Sequence, residues 1–196
     1  MVDVVVAALG LLLLIVPMVI IAVYIKLDSH GPLFFWQTRV GQFGCAFRIC
    51  KFRTMFPHTE LAGLSLTVSN DPRITSVGTI LRKYKLDELP QIWNVLKGEM
   101  SLVGPRPEVP RYVAHYPPDV REIVLSLRPG ITDLASIAFR NENELLRGSL
   151  DPEKTYLEEV LPVKLRYCVA YVRTRSLAMD VNICLKTLSA LVLRTS

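Results

Sequence analysis

Histidine, cysteine and charge are all sparse in this chain, and each shortage excludes a class of chemistry. The three histidines, His30, His58 and His115, share no metal-ligand spacing, so a histidine-built zinc site is not the reading. No Ser-His-Asp order and no Gly-rich phosphate loop stands out. Of the four cysteines, Cys45, Cys50, Cys168 and Cys184, the closest pair has four residues between them and no metal-ligating partner, so all four read as free core thiols on a reducing side. No internal repeat is visible, and no linker is long enough to divide the chain. Charged residues make up 21% of the 196 and hydrophobic residues 51%, with a mean hydropathy of +0.33. That is too apolar for a disordered chain and high for a purely soluble one.

The charge that is present leans positive, at +5, and is unevenly spread. Residues 26–116 hold 12 basic and 7 acidic side chains, whereas residues 117–196 hold 11 and 10. The excess follows an apolar N-terminus, where it suits an anionic membrane surface or phosphorylated ligands. It is too modest, without any recognised module beside it, to indicate a nucleic-acid partner.

Residues 4–25 form an uncharged run of 22 between Asp3 and Lys26, about 33 Å long as one helix. Met1-Val2-Asp3 offers no positive leader, so a cleaved signal peptide is not expected. Pro17 removes one helical hydrogen bond and crowds the carbonyl of Leu13, leaving arms of roughly 20 and 12 Å, neither of which crosses a bilayer. Two readings follow: a kinked span, which physics alone favours because proline is tolerated in membrane helices, or a re-entrant helix-break-helix that leaves by the leaflet it entered. Both put the basic region on the cytoplasmic side.

Beyond the run, residues 33–40 and 45–53 read as strands around Gly41-Gln42-Phe43-Gly44, a β-hairpin. Strict alternation puts Cys45, Phe47, Ile49, Lys51 and Arg53 on one face. Residues 59–70 read as a loop or short helix. Val77, Ile80, Leu81 and Tyr84 lie at helical spacing among Arg82, Lys83 and Lys85, predicting a basic amphipathic helix. A short helix over 89–97 tolerates Pro90 only in its first turn, which puts Asp87 and Glu88 at its start. A strand over 100–103, a helix from Pro117-Pro118 to about Leu127, an extended or loop-like stretch over 131–139 and a helix from Asp151-Pro152 interrupted at Pro162 complete the middle. Leu177, Val181, Cys184, Leu185, Leu188 and Leu191 make one stripe, expected to pack on the domain or lie in a membrane interface.

Leu86-Asp87-Glu88-Leu89-Pro90-Gln91 is the most informative stretch. Two carboxylates at a helix start stay ionised beside free N–H groups that favour phosphate. An aspartate is a competent nucleophile towards phosphorus, and a neighbouring glutamate can hold Mg²⁺ against a diphosphate. The plain alternative is a capping pair without chemistry. Lys51 and Arg53 at a strand end, Arg82 five residues upstream of Asp87, and Arg106 held between Pro105 and Pro107 are the cations that argue for more, although each also suits a solvated surface or a local ion pair. Asp180 reads more simply as a solvated helix residue.

Taken in order, Gly31-Pro32-Leu33-Phe34-Phe35 with Gln37-x-Arg39-x-Gly41, Phe47-x-Ile49-x-Lys51-Phe52-Arg53-Thr54-Met55, Leu86-Asp87-Glu88-Leu89-Pro90-Gln91, Met100-Ser101-Leu102-Val103-Gly104-Pro105-Arg106-Pro107 and Arg128-Pro129-Gly130-Ile131-Thr132 resemble the bacterial sugar transferase family, the monotopic phosphoglycosyl transferases. The resemblance covers about residues 3–192. It implies an α+β fold on the cytoplasmic face of the bacterial inner membrane, with a proline-broken re-entrant helix over 1–27, a catalytic domain over 28–196, a β-hairpin and several amphipathic helices. It implies transfer of a phospho-sugar from a nucleoside diphosphate sugar, usually a UDP-sugar, to polyprenyl phosphate, releasing UMP and initiating glycoconjugate synthesis. Carried over residue by residue, Asp87 is the nucleophile, Glu88 the Mg²⁺ ligand, and Lys51 and Arg106 belong to the site. Asp180 matches a late aspartate through Tyr171-Val172 and Ser176, and Pro17 marks the membrane break. Arg53 and Arg82 join the cations expected around the phosphates. The partners implied are the donor, the lipid acceptor, membrane phospholipid and, in a homo-oligomer, a second copy of the chain. Rivals are direct transfer within a ternary complex and a non-catalytic anchored module. After Thr132 the chain reads Asp133-Leu134-Ala135-Ser136-Ile137 where many members have a Gly-Trp-Ala-Gln type sequence, so the motif does not identify the sugar.

Overall fold

The computed structural model describes residues 2–57, 71–140 and 142–192. His58 and the expected loop over 59–70 lie outside the described residues.

Helix α1, Val2–Asp28, is apolar on every face and runs unbroken through Pro17. The expected helix-break-helix is therefore not seen as two segments. Proline costs this helix one hydrogen bond, to Leu13, and Leu13 is 80% exposed, so no packing opposite the defect is lost. One face of α1 packs: Ala7, Ile21 and Ile25 are buried, and Leu11, Leu14 and Met18 are partly so, a spacing of three and four. Ala7 joins Ile49, Ile92, Val95 and Met100, while Ile21 and Ile25 join Phe52 and Leu81. At the far N-terminal end, Ser101 Oγ donates to the Asp3 carboxylate at 2.7 Å. Both ends of α1 thus touch the rest of the chain. Its outer face leaves Leu12, Leu13, Val16, Val19 and Val23 more than half exposed.

Strands β1, Phe34–Val40, and β2, Ala46–Phe52, pair antiparallel with Phe34 opposite Phe52 and Val40 opposite Ala46. This is the expected hairpin, within a residue of its expected ends. Helix α2, Ser76–Lys83, starts at Thr75, whose hydroxyl accepts from Gly78 N at 3.0 Å. It buries Leu81 and turns Ile80 outward. Lys85 takes a left-handed conformation (φ 57°) and opens a 3₁₀ turn, Leu86–Gln91, ahead of the short helix α3, Ile92–Leu96. The Asp-Glu pair therefore sits in a tight turn and not at the start of a regular α-helix.

Strand β3, Ser101–Val103, runs parallel to β4, Gly130–Thr132, with helices α4, Pro110–Val113, and α5, Pro118–Leu125, between them in sequence. A Cβ on Gly130 would lie 2.1 Å from Gly104 N, so only glycine permits this approach, which sets the backbone leading into Arg106. Of the stretch expected to be extended or loop-like over 131–139, Ile131 and Thr132 belong to β4, but Leu134–Ala138 forms helix α6 because the Asp133 carboxylate caps it by accepting from Ser136 N at 2.6 Å. Helices α7, Glu142–Arg147, and α8, Pro152–Thr155, lead through a π turn, Tyr156–Val160, into α9, Leu161–Thr174, with Pro162 in its first turn as the sequence suggests. Val40, Tyr112, Val113, Val124, Tyr156, Val160 and Leu165 form the core of this half. The last helix, α10, Leu177–Val192, buries Ile183 against Val103 and Tyr171. Of the expected stripe, Leu177, Val181, Leu185 and Leu188 stay more than half exposed while Cys184 is partly buried against this cluster; the side chain of Leu191 lies outside the described residues. All four cysteines are free, but Cys45 is exposed and not a core thiol.

Candidate active site

Three segments far apart in sequence converge on Glu88. Lys51, at the end of β2, donates through Nζ to Glu88 Oε1 at 2.8 Å. Arg106, after β3, donates through Nη1 to Oε2 at 3.1 Å and through Nη2 to Oε1. Pro105 and Pro107 restrict the Arg106 backbone, and Arg106 N donates to Asp133 Oδ2 at 3.3 Å. Burial pushes the Glu88 carboxyl up, but Arg106 and Lys51 outweigh it and hold the group well below the usual carboxylate range. Glu88 in turn raises Arg106, while burial lowers Lys51 against the pull of Glu88.

Asp87 is its opposite. Successive residues of a 3₁₀ turn point about 120° apart, which separates the neighbouring carboxylates. Asp87 is 7% exposed and its Oδ1 has no hydrogen-bond partner. Burial raises its carboxyl above the ordinary value, with Lys51 opposing and the charge of Glu88 adding to the rise. Arg82 donates to Thr54 Oγ1 at 2.8 Å; burial lowers its guanidinium, and the charges of Asp87 and Asp71 oppose that. The pair is thus divided: Glu88 is paired with two cations and Asp87 keeps a buried oxygen without a hydrogen-bond partner.

A cavity of about 570 Å³ opens beside the pair and is lined by Glu88 and Arg106, not by Asp87. Its remaining polar wall includes Arg39, Glu108, Tyr156 and Lys164, which sequence reasoning did not single out. Arg39 Nη1 donates to Pro107 O at 3.0 Å and lies 3.5 Å from Glu108 Oε2, and Tyr156 Oη donates to Glu108 Oε1 at 2.5 Å. For Arg39 and Glu108 the signal is their place in or beside motifs, Arg39 in Gln37-x-Arg39 and Glu108 directly after Pro107; Tyr156 and Lys164 lie beside none.

Two expected site residues stand elsewhere. Arg53 donates to the carbonyls of Ser29 at 2.8 Å, Ile25 at 3.3 Å and His30, closing the C-terminal end of α1. Strand alternation stops at Phe52, so nothing keeps Arg53 on the face of Lys51. Asp180 accepts from Tyr171 Oη at 2.8 Å and lines a separate cavity of about 500 Å³ with Asp3, Ser101, Arg128 and Arg175.

The bacterial sugar transferase family model matches residues 1–194. The chain belongs to the bacterial sugar transferase family. The match takes in α1 as well as the segments that carry Lys51, Asp87, Glu88 and Arg106. Among relatives, the UDP-glucose:undecaprenyl-phosphate glucose-1-phosphate transferase of Caulobacter vibrioides is 38% identical over 192 residues, 97% of this chain and 68% of the relative. The UDP-N-acetylgalactosamine-undecaprenyl-phosphate N-acetylgalactosaminephosphotransferase of Aeromonas hydrophila is 38% identical over 176 residues, 87% of this chain but only 38% of that longer protein. An exopolysaccharide production protein of Rhizobium leguminosarum is 37% identical over 197 residues, 90% of this chain and 86% of the relative. Two of these three relatives are named for transfer to undecaprenyl phosphate and the third for exopolysaccharide production.

Proposed function

We propose that this sugar transferase moves a phospho-sugar from a UDP-sugar to polyprenyl phosphate through a covalent intermediate on Asp87. The unpartnered Oδ1 of Asp87, beside a Glu88 paired with Lys51 and Arg106, carries the reading, because of the two carboxylates only Asp87 has an oxygen without a hydrogen bond to lose on attack. Oδ1 bonds to the β-phosphorus, the bond from that phosphorus to the bridging oxygen breaks, and UMP leaves with the electron pair. A phosphate oxygen of the lipid then attacks the same phosphorus and the bond to Oδ1 breaks, restoring the carboxylate. Lys51, Arg82 and Arg106 offset charge on the transferring phosphoryl group.

The donor set suits Mg²⁺ shared with a diphosphate. Among the described residues no three metal-ligating side chains cluster, so an all-protein cage is not available. Glu88 accepts three hydrogen bonds, and a carboxylate has about four acceptor positions, leaving room on Oε2. Glu88 would hold the ion against the donor, where it supplies charge neutralisation. Incubation with Mg²⁺ and the correct UDP-sugar, without lipid, is expected to add one phospho-sugar to the intact mass. Product formed only when both substrates are present, with no adduct, would favour direct transfer in a ternary complex.

The same reading puts α1 in one leaflet of the inner membrane with both ends on the cytoplasmic face and the domain beyond residue 27 beneath it. Support comes from the Asp3–Ser101 hydrogen bond at one end, Ile25 packed on Phe52 and Leu81 at the other, and an outer face on which Leu12, Leu13, Val16, Val19 and Val23 stay more than half exposed. A span about 40 Å long would carry Asp3 away from Ser101 to the opposite surface. Cysteines introduced at positions 2 and 29, in a background without native cysteines, should both react with an impermeant maleimide from the cytoplasmic side alone. Periplasmic reaction at position 2 would restore the span.

A further inference from the structure

Two hydroxyls in the wall of the 570 Å³ cavity have no hydrogen-bond partner: Tyr112 Oη, on α4, and Ser136 Oγ, on α6. Tyr112 is only 3% exposed, and both oxygen atoms are buried. Their neighbours on the same wall are satisfied. Tyr156 and Arg39 both engage Glu108, and Lys164 pairs with Glu142 while standing 5.0 Å over the Tyr156 ring. These contacts fix the wall, and the two hydroxyls are what it leaves open. Folded proteins seldom leave a buried hydroxyl unpaired, and two such groups in a cavity that also holds Glu88 and Arg106 indicate a ligand that brings its own hydrogen-bonding groups.

The charge around Tyr112 narrows the ligand. Burial first, then the negative charges of Glu153 and Glu108, push its hydroxyl up to about 12, so it stays a neutral donor and acceptor at neutral pH. The charges acting on Tyr112 are mixed, Glu153 and Glu108 against Arg111 and Arg39, so its neutral hydroxyl suits an uncharged polyol. The phosphates belong at Arg106 and Lys51.

We propose that Tyr112 Oη and Ser136 Oγ hydrogen-bond the hydroxyl or N-acyl groups of the transferred sugar and thereby select which sugar is accepted. The assignment rests on the phosphoglycosyl-transfer reading. A site built to pair a substrate hydroxyl rejects analogues that lack it far more strongly than an apolar pocket does, because its own polar groups are then stranded. Tyr112→Phe keeps the ring packed on Tyr156, 4.8 Å between centroids, and removes only the unpaired oxygen.

The test measures kcat/KM of the full-length protein, in lipid with polyprenyl phosphate, for a panel of UDP-hexoses, UDP-N-acetylhexosamines and their deoxy analogues. Tyr112→Phe and Ser136→Ala are each expected to reduce the ratio between the preferred donor and its deoxy or epimeric analogue by about 10-fold or more. Melting temperatures should be unchanged or higher, since an unpaired buried hydroxyl is lost. A uniform drop for all donors with a lowered melting temperature would assign both residues a structural role and overturn the proposal. Unchanged ratios in both variants, with turnover intact, would overturn it alone. A wild-type protein that turns over no member of the panel would overturn the reaction and this assignment together.

Discussion

Replacing Asp87 with asparagine is expected to lower turnover by on the order of 10³-fold or more and to abolish the phospho-sugar adduct, because the substitution removes the nucleophile while keeping its shape. The fold should not suffer. Asp87 Oδ1 has no partner to lose, and burial disfavours its charged form. A group whose pKa is raised on folding contributes stability below its unfolded value and loses it as pH rises through the folded value. Asp87→Asn should therefore melt at the same or a higher temperature than wild type at pH 7. The same elevation gives the pH profile a definite sign. Attack needs the carboxylate, so the acid limb of the donor half-reaction should lie above the ordinary aspartate value of 3.8, and Lys51→Met should move it higher still, since Lys51 is the largest influence opposing the rise. Single-turnover rates across pH, together with intact mass, check both points. An asparagine variant that still transferred sugar at near wild-type rate would remove Asp87 from the mechanism.

Arg106→Ala should have the largest effect on stability, about 3–5 kcal/mol, because it leaves Glu88 buried with one cationic partner in place of two. The pH dependence follows from the sign of the Glu88 shift. Its carboxyl is held below the unfolded value of 4.5, so its contribution is present above that value and lost as pH falls through the depressed one. Without Arg106 the carboxyl rises, and acid unfolding should begin at higher pH than in wild type. Arg106→Lys should recover part of the stability but little of the activity, since an ammonium cannot reproduce the two-pronged contact with Oε1 and Oε2. Urea unfolding at pH 5 and 7 measures the difference. Equal midpoints for wild type and Arg106→Ala would show that the pair has no structural role.

Much of the fold could be read locally. The hairpin followed from two β-rich runs around a Gly-bracketed turn, and its observed ends differ by a residue. Ile131 and Thr132 suggest an extended chain and form β4, whereas helix α6 depends on a cap that is a single carboxylate, Asp133. Pro17 was expected to break α1, yet its freed carbonyl lies on the outward face and the helix continues. A two-residue alternation groups Arg53 with Lys51, but it holds only while the strand lasts. One residue beyond it, three backbone carbonyls at the end of α1 decide where the guanidinium goes. The motif resemblance puts Asp180 at the site; the structure pairs it with Tyr171 in another cavity.

By itself the sequence determined the apolar N-terminal segment, the order of the motifs and the adjacency of Asp87 and Glu88, because hydrophobicity, turn chemistry and spacing act over a few residues. Only the tertiary structure decided that the two carboxylates differ. Lys51 and Arg106 reach Glu88 from 37 and 18 residues away, and such contacts leave no trace in local pattern. Burial then penalises whichever charge is left without a partner, and here that is Asp87. The same separation explains α1: a run of 22 apolar residues is long enough to span a membrane, but the hydrogen bond from Ser101, 98 residues away, ties its first turn back to the domain.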